Sequence, residues 1–204
     1  MSLMVGIAGL HNSGKSKLMN GLTDELEKMG FSILRIGGRR AVRKKVKDEK
    51  NAIERQTLML AEMLSDLIQV KNNPEYDVVF LERDPWDFIA FSEALIKAKI
   101  VTRQEIKPLI SVAEVNTKYI DLPILILVSE DTSIRRRKKD YILDPIVGNY
   151  LFDFEGAYRV LEKRLPHGSV VLSGEDEYFD ENLNQVLELL ISRVERRPNG
   201  KLKN

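Results

Sequence analysis

Residues Gly9-Leu10-His11-Asn12-Ser13-Gly14-Lys15-Ser16 fill the pattern G-x-x-x-x-G-K-[ST] without a mismatch, and no other stretch constrains the chain so tightly. The pattern describes a turn between a strand and a helix, and both flanks agree with it. Leu3-Met4-Val5-Gly6-Ile7-Ala8 is a short apolar run ending in small residues, the composition of a buried strand. After the turn, Leu18, Met19, Leu22, Leu26 and Met29 recur at helical spacing. Glycines at both ends let the backbone wrap closely, so its N–H groups point at phosphate oxygens, and the helix N-terminus adds its positive dipole end. Lys15 then reaches the outer phosphates and Ser16 holds Mg²⁺. Gly9, His11, Asn12, Ser13, Gly14 and Lys17 complete the contacts to a nucleoside triphosphate. His11 is expected to set the backbone there, with an exposed ring and no catalytic part.

Apolar runs alternate with amphipathic stretches along the rest of the chain. That order predicts an α/β fold, a three-layer α/β/α P-loop NTPase with a central five-stranded parallel sheet. Further strands are expected at 31–36, 77–81, 123–128 and 170–172, and helices at 52–70, 85–99, 103–118, 134–139, 153–165 and 179–194. Pro85 suits the first turn of its helix, with Asp84 as the cap. A length of 204 residues suits one domain, 1–204, with a lid at about 130–150. The 32 basic and 31 acidic residues nearly cancel, which argues against a nucleic-acid or membrane partner. Cysteine is absent, excluding disulfides and thiolate chemistry, and two distant histidines make a zinc site unexpected. With no apolar run of membrane-spanning length and no cleavable leader, the expectation is a soluble, cytoplasmic protein.

In doubly wound sheets the ligand sits outside the carboxyl ends of the strands, and the chemistry-bearing residues cluster there. The third strand delivers Glu82 and Arg83 beside the loop; Glu82 is the expected partner of Ser16 in holding the metal. Arg135, Arg136 and Arg137 follow the fourth strand, and one or two of them are expected on a lid over the γ-phosphate. Spacing alone does not say which faces inward. Arg35, Arg39, Arg40 and Arg43, at and beyond the second strand, are either a clamp for an acceptor phosphate or a solvated basic face. Gln56 opens a long helix, and its amide can pair with a base edge, although solvent exposure is the more common fate of a helical glutamine. Trp86 and Phe88 either stack on a base or pack in the core.

Taken together, the loop, the Glu82-Arg83-Asp84 step, the basic segment after the fourth strand and the closing helices resemble the thymidylate kinase and deoxynucleoside kinase superfamily. Leu34-Arg35-Ile36-Gly37-Gly38 resembles the Arg-Glu-Pro-Gly-Gly step of thymidylate kinases. Glu82-Arg83-Asp84 is similar to their Asp-Arg-Tyr and to the Glu-Arg-Ser of deoxynucleoside kinases. Gln56 looks like the base-reading glutamine of the latter, and Tyr158-Arg159-Val160-Leu161 like the tyrosine-bearing helix before the last strand. Two positions depart: His11 stands where thymidylate kinases carry an acidic residue, and Ile36-Gly37 where deoxynucleoside kinases carry a carboxylate base. The resemblance implies Mg²⁺-dependent transfer of the ATP γ-phosphoryl group. Because a nucleoside hydroxyl needs a base and a monophosphate mainly needs cations, the missing carboxylate and the many arginines favour a nucleoside monophosphate acceptor, most simply dTMP. Lys15, Glu82, Arg83 and Arg135–Arg137 would act on the transferring group, while Arg35, Arg39, Gln56, Arg83 and Trp86 would hold the acceptor. The alternatives are a deoxynucleoside kinase, a non-kinase P-loop NTPase acting as a switch or maturation partner, and a relative that binds without turnover. The absence of Asn-Lys-x-Asp argues against a GTPase switch. Relatives of this kind are often homodimers, but no stripe in the sequence demands one.

Overall fold

The computed structural model describes residues 2–37, 51–72, 75–136 and 151–195. Arg39, Arg40, Arg43, Arg137 and most of the expected lid lie outside them. Five strands form the core of the fold: β1 (Leu3–Gly9), β2 (Ile33–Ile36), β3 (Val78–Glu82), β4 (Leu122–Leu127) and β5 (Val170–Ser173). All pairings are parallel, in the order β2-β3-β1-β4-β5. β1 therefore sits in the middle, hydrogen-bonded on both sides, and the loop that follows it emerges at the centre of the sheet's carboxyl edge. Buried on both faces, β1 and β3 read as continuous apolar runs rather than alternating ones.

The helices are α1 (Lys15–Lys28), α2 (Ala52–Asn72), α3 (Pro85–Lys97), α4 (Arg103–Asn116), α5 (Glu130–Arg135), α6 (Leu151–Glu162) and α7 (Phe179–Glu195). They divide between the two faces, which gives the expected three layers. On one face α1 and α7 bury Leu22, Leu26, Val186 and Leu190 against Val5, Ile7, Phe80 and Ile124. On the other, α2, α3, α4 and α6 bury Leu60, Met63, Ile89, Ile106 and Phe154 against Val79, Leu81 and Leu125. Facing side chains alternate along each strand, so Ile7 and Ala8 serve opposite layers.

Local signals account for most element ends. Asp84 caps α3 by accepting from the Asp87 N–H at 2.8 Å, with Pro85 in the first turn as expected. Thr102 and Glu105 close a reciprocal capping box on α4. The helix after β4 starts earlier than the basic run suggests. Ser129 caps it by accepting from the Thr132 N–H at 3.2 Å, so α5 begins at Glu130 and its last turn, not its first, carries the arginines. The strand expected at 31–36 is shorter, β2 starting at Ile33, because Ser32 is held by the Asp77 carboxylate through its N–H and its hydroxyl.

Candidate nucleotide-binding and active site

The loop between β1 and α1 is fixed from several directions. Gly14, at φ +98°, occupies backbone space that a side chain would strain, and it hands the chain into α1. The Ser13 N–H returns to the Leu10 carbonyl at 3.2 Å, tightening the turn. Lys15 is buried, and its ammonium donates to the carbonyls of Gly9 and Leu10, both at 2.7 Å. A buried cation needs such partners, because desolvation would otherwise cost several kcal/mol (roughly). Its Nζ therefore stands inside the loop's curve.

α5 braces the loop from one side. The Ser133 hydroxyl donates to the His11 carbonyl at 2.7 Å, and the Asn12 amide donates to the Ser133 carbonyl at 3.0 Å. Arg136 donates to the Asn12 carbonyl at 3.1 Å and pairs with Asp176 at 2.9 Å. Its neighbour Arg135 turns outward toward Glu175, with 69% of its side chain exposed against 19% for Arg136. Of the two described arginines of the basic run, Arg136 is the one that meets the loop.

On the other side stands the end of β3. Ser16 and Glu82 approach to 3.3 Å through Oγ and Oε1. The other oxygen of Glu82 lies against the end of β2, where a side chain on Gly37 would press on it at 3.1 Å. A hydroxyl and a carboxylate are the hard oxygen donors that Mg²⁺ takes from a protein when phosphates and water supply the rest. The pair thus fits the ion; among the described residues there is no larger cluster of acidic and histidine side chains for one.

Arg83 adopts φ +65°, uncommon for a side-chain-bearing residue, and is buried. One guanidinium nitrogen meets His11 Nε2 at 3.1 Å and another donates to Asp87 at 3.1 Å. This corrects the expectation of an exposed His11 ring: it is 7% exposed, covered by the Arg83 guanidinium and facing Phe91 at 6.4 Å between ring centres. Asp87 also accepts from the Gly9 N–H at 3.1 Å and from the Tyr158 hydroxyl at 2.7 Å. Burial, and then the neighbouring Asp87 charge, push the Tyr158 hydroxyl well above the ordinary phenol range, so it stays a donor.

Between these walls lies a cavity of about 620 Å³, room for a nucleotide. His11 through Leu18, Glu82, Arg83 and Arg136 line it, and the turn after β5 supplies Ser173 to Asp176. Phe179 lines it as well, with the Lys17 ammonium 3.9 Å above its ring. The β5 turn, Asp87, Ser133 and Phe179 were missed by sequence reasoning. Their only signal is position near a strand's carboxyl end. The residues expected at an acceptor scatter. Arg35 is exposed on β2 and donates to the Asn20 side chain of α1, on the layer opposite α2 and α3, and it does not line the cavity. Gln56 is buried on α2, not solvent-exposed, and its Oε1 meets no hydrogen-bond donor among the described residues. Met59, one turn further along α2, reaches the cavity. Trp86 is half-buried against the α2–α4 layer, with its indole N–H buried and without an acceptor among the described residues. Phe88 is in the core.

A strand, a glycine-bounded loop with an inward lysine, a helix and a carboxylate at the neighbouring strand end define the P-loop NTPase fold. No protein-family model matches the chain, and no curated protein sequence matches it significantly. Solved structures do match. Deoxyadenosine kinase from M. mycoides with bound dATP superposes with a TM-score of 0.67 at 19% identity, covering 90% of this chain and 98% of that one. The same enzyme with the products dCMP and a flexible dCDP gives 0.68 at 19% identity over 92% and 98%. With dCTP it gives 0.65 at 18% identity over 91% and 98%. This chain shares the fold of those structures. No helix among the described residues is long and apolar enough to cross a membrane.

Proposed function

We propose that this chain is a phosphotransferase that moves the γ-phosphoryl group of ATP onto the 5′-hydroxyl of a nucleoside, a deoxynucleoside by analogy with its structural neighbours. The observation that carries the reading is Glu82, whose carboxylate bridges the loop serine and the end of β2. One oxygen beside Ser16 suits a metal ligand. The other, beside Gly37, would serve as the base for an acceptor hydroxyl, the part that β2 itself supplies no carboxylate to play. The likeness to structures of deoxyadenosine kinase supports the same acceptor class.

Lys15 and the loop N–H groups would hold the β- and γ-phosphates, and Arg136 would neutralise charge on the transferring group. Mg²⁺ held by Ser16 and Glu82 would supply charge neutralisation between the β- and γ-phosphates. The acceptor 5′-oxygen forms its bond to phosphorus as the bond to the β-phosphate oxygen breaks. Its proton passes to Glu82, leaving ADP and the nucleoside 5′-monophosphate. Gln56, whose buried oxygen meets no donor among the described residues, suits a base donor such as an exocyclic amine.

A second reading, a nucleoside monophosphate acceptor such as dTMP, is favoured by Arg83 and Arg136 lining the same cavity as the loop. The test is ADP release from ATP and Mg²⁺ against a panel of deoxynucleosides and monophosphates. Turnover with a deoxynucleoside supports the first reading, turnover with monophosphates alone the second. Release indifferent to every acceptor would leave an NTP hydrolase and end both.

A further inference from the structure

A carboxylate that is 2% exposed needs hydrogen-bond donors around it, and Asp87 draws them from three separate elements. Gly9 at the end of β1 gives its backbone N–H, Arg83 after β3 gives a guanidinium N–H, and Tyr158 on α6 gives its hydroxyl. Helix capping does not explain this inward turn, because Asp84 already caps α3. Asp87 does not line the cavity, but its partners lead straight into it. Gly9 opens the loop whose following residues line the cavity, and Arg83 lines it too, with the loop's His11 against its guanidinium.

We propose that Asp87 is a positioning residue for the transfer. It fixes the spacing between the loop that grips the donor phosphates and the guanidinium facing them, and Tyr158 ties both to α6. The proposal rests on the phosphotransferase reading. In-line transfer depends on that spacing, and a displacement of about 1 Å costs on the order of 100-fold in rate. Gly9 and Tyr158 share one oxygen and Arg83 meets the other, so in Asp87→Asn the amide nitrogen must face either the Arg83 guanidinium or both the Gly9 N–H and the Tyr158 hydroxyl, and the loop or Arg83 shifts.

The test compares the full-length wild type, Asp87→Asn, Tyr158→Phe and Arg83→Lys. Calorimetry gives the Kd of ATP with Mg²⁺, and steady-state kinetics gives kcat and KM for both substrates. For Asp87→Asn the expectation is a kcat lower by about 100-fold and an ATP Kd weaker by about tenfold. Adding Arg83→Lys to Asp87→Asn is expected to cost less than the product of the two single effects, since the two side chains share one contact. A lower melting temperature with kcat and Kd unchanged means a purely structural role and overturns the proposal. Should Asp87→Asn not fold, Tyr158→Phe decides: a severalfold weaker ATP Kd supports the link, and an unchanged Kd overturns it. A wild type that binds ATP but phosphorylates no acceptor refutes the phosphotransferase reading by itself. The ATP Kd of Asp87→Asn then still decides whether Asp87 positions the loop.

Discussion

Replacing Gln56 by leucine should make the protein more stable and a poorer catalyst. The side chain is 1% exposed on α2, and its carbonyl oxygen accepts no hydrogen bond from the described residues. A buried acceptor left unsatisfied costs about 1–3 kcal/mol, and leucine removes it at similar volume among Leu60 and Met63 of the same helix. For a chain of this size each kcal/mol moves the melting temperature by about 2–4 °C, so Gln56→Leu should melt about 5 °C higher without ligand. If the amide reads the acceptor's base, the same substitution raises the acceptor KM by about tenfold or more and leaves the ATP KM unchanged. Differential scanning calorimetry and initial rates at saturating ATP give both numbers. A lower melting temperature would mean that the amide is satisfied. An unchanged acceptor KM would mean that it does not face the acceptor.

Other substitutions probe the sheet beneath the loop and the residues around it. In Gly6→Ala the new methyl would collide with the Asp84 carboxylate, which sits within 2.7 Å at Cγ while capping α3. With β1 paired on both sides neither can yield, and urea unfolding should show a loss of about 2–4 kcal/mol. Arg136→Ala should lower kcat by at least about tenfold, and Arg135→Ala by less than about twofold, in steady-state assays. Equal effects would mean that the inward position of Arg136 is immaterial. Tyr158 has a folded-state pKa above its unfolded one, so its contribution is whole below about pH 10 and is lost as pH rises beyond. The urea midpoint of the wild type should therefore lose its lead over Tyr158→Phe only in that alkaline range.

What the sequence revealed and what it concealed follow from the range of the interactions. The loop was legible because one continuous stretch carries its glycines, lysine and flanking periodicities. The sheet was legible from the alternation of apolar runs, and the α3 cap from Asp84-Pro85. The facing of Arg35 was also written there: Leu34 and Ile36 serve the α2 layer, so the residue between them must point the other way. By contrast, His11 meeting Arg83 and Asp87 meeting Gly9 and Tyr158 join residues more than 70 positions apart. No local pattern distinguishes such a histidine or aspartate from a solvated one. Nor does spacing rank Arg135 and Arg136; the Ser129 cap does, by setting where α5 begins and so which way each side chain leaves it.

The central claim is that the cradle around Lys15 delivers a phosphoryl group to an acceptor beside Glu82. ATP labelled in its γ-phosphate, incubated with the protein, Mg²⁺ and a deoxynucleoside, tests it by the destination of the label. The account predicts label in the nucleoside 5′-monophosphate, dependent on Mg²⁺ and abolished in Lys15→Ala and Glu82→Gln. Label that stays in ATP, or emerges only as inorganic phosphate whatever nucleoside or nucleotide is supplied, contradicts it.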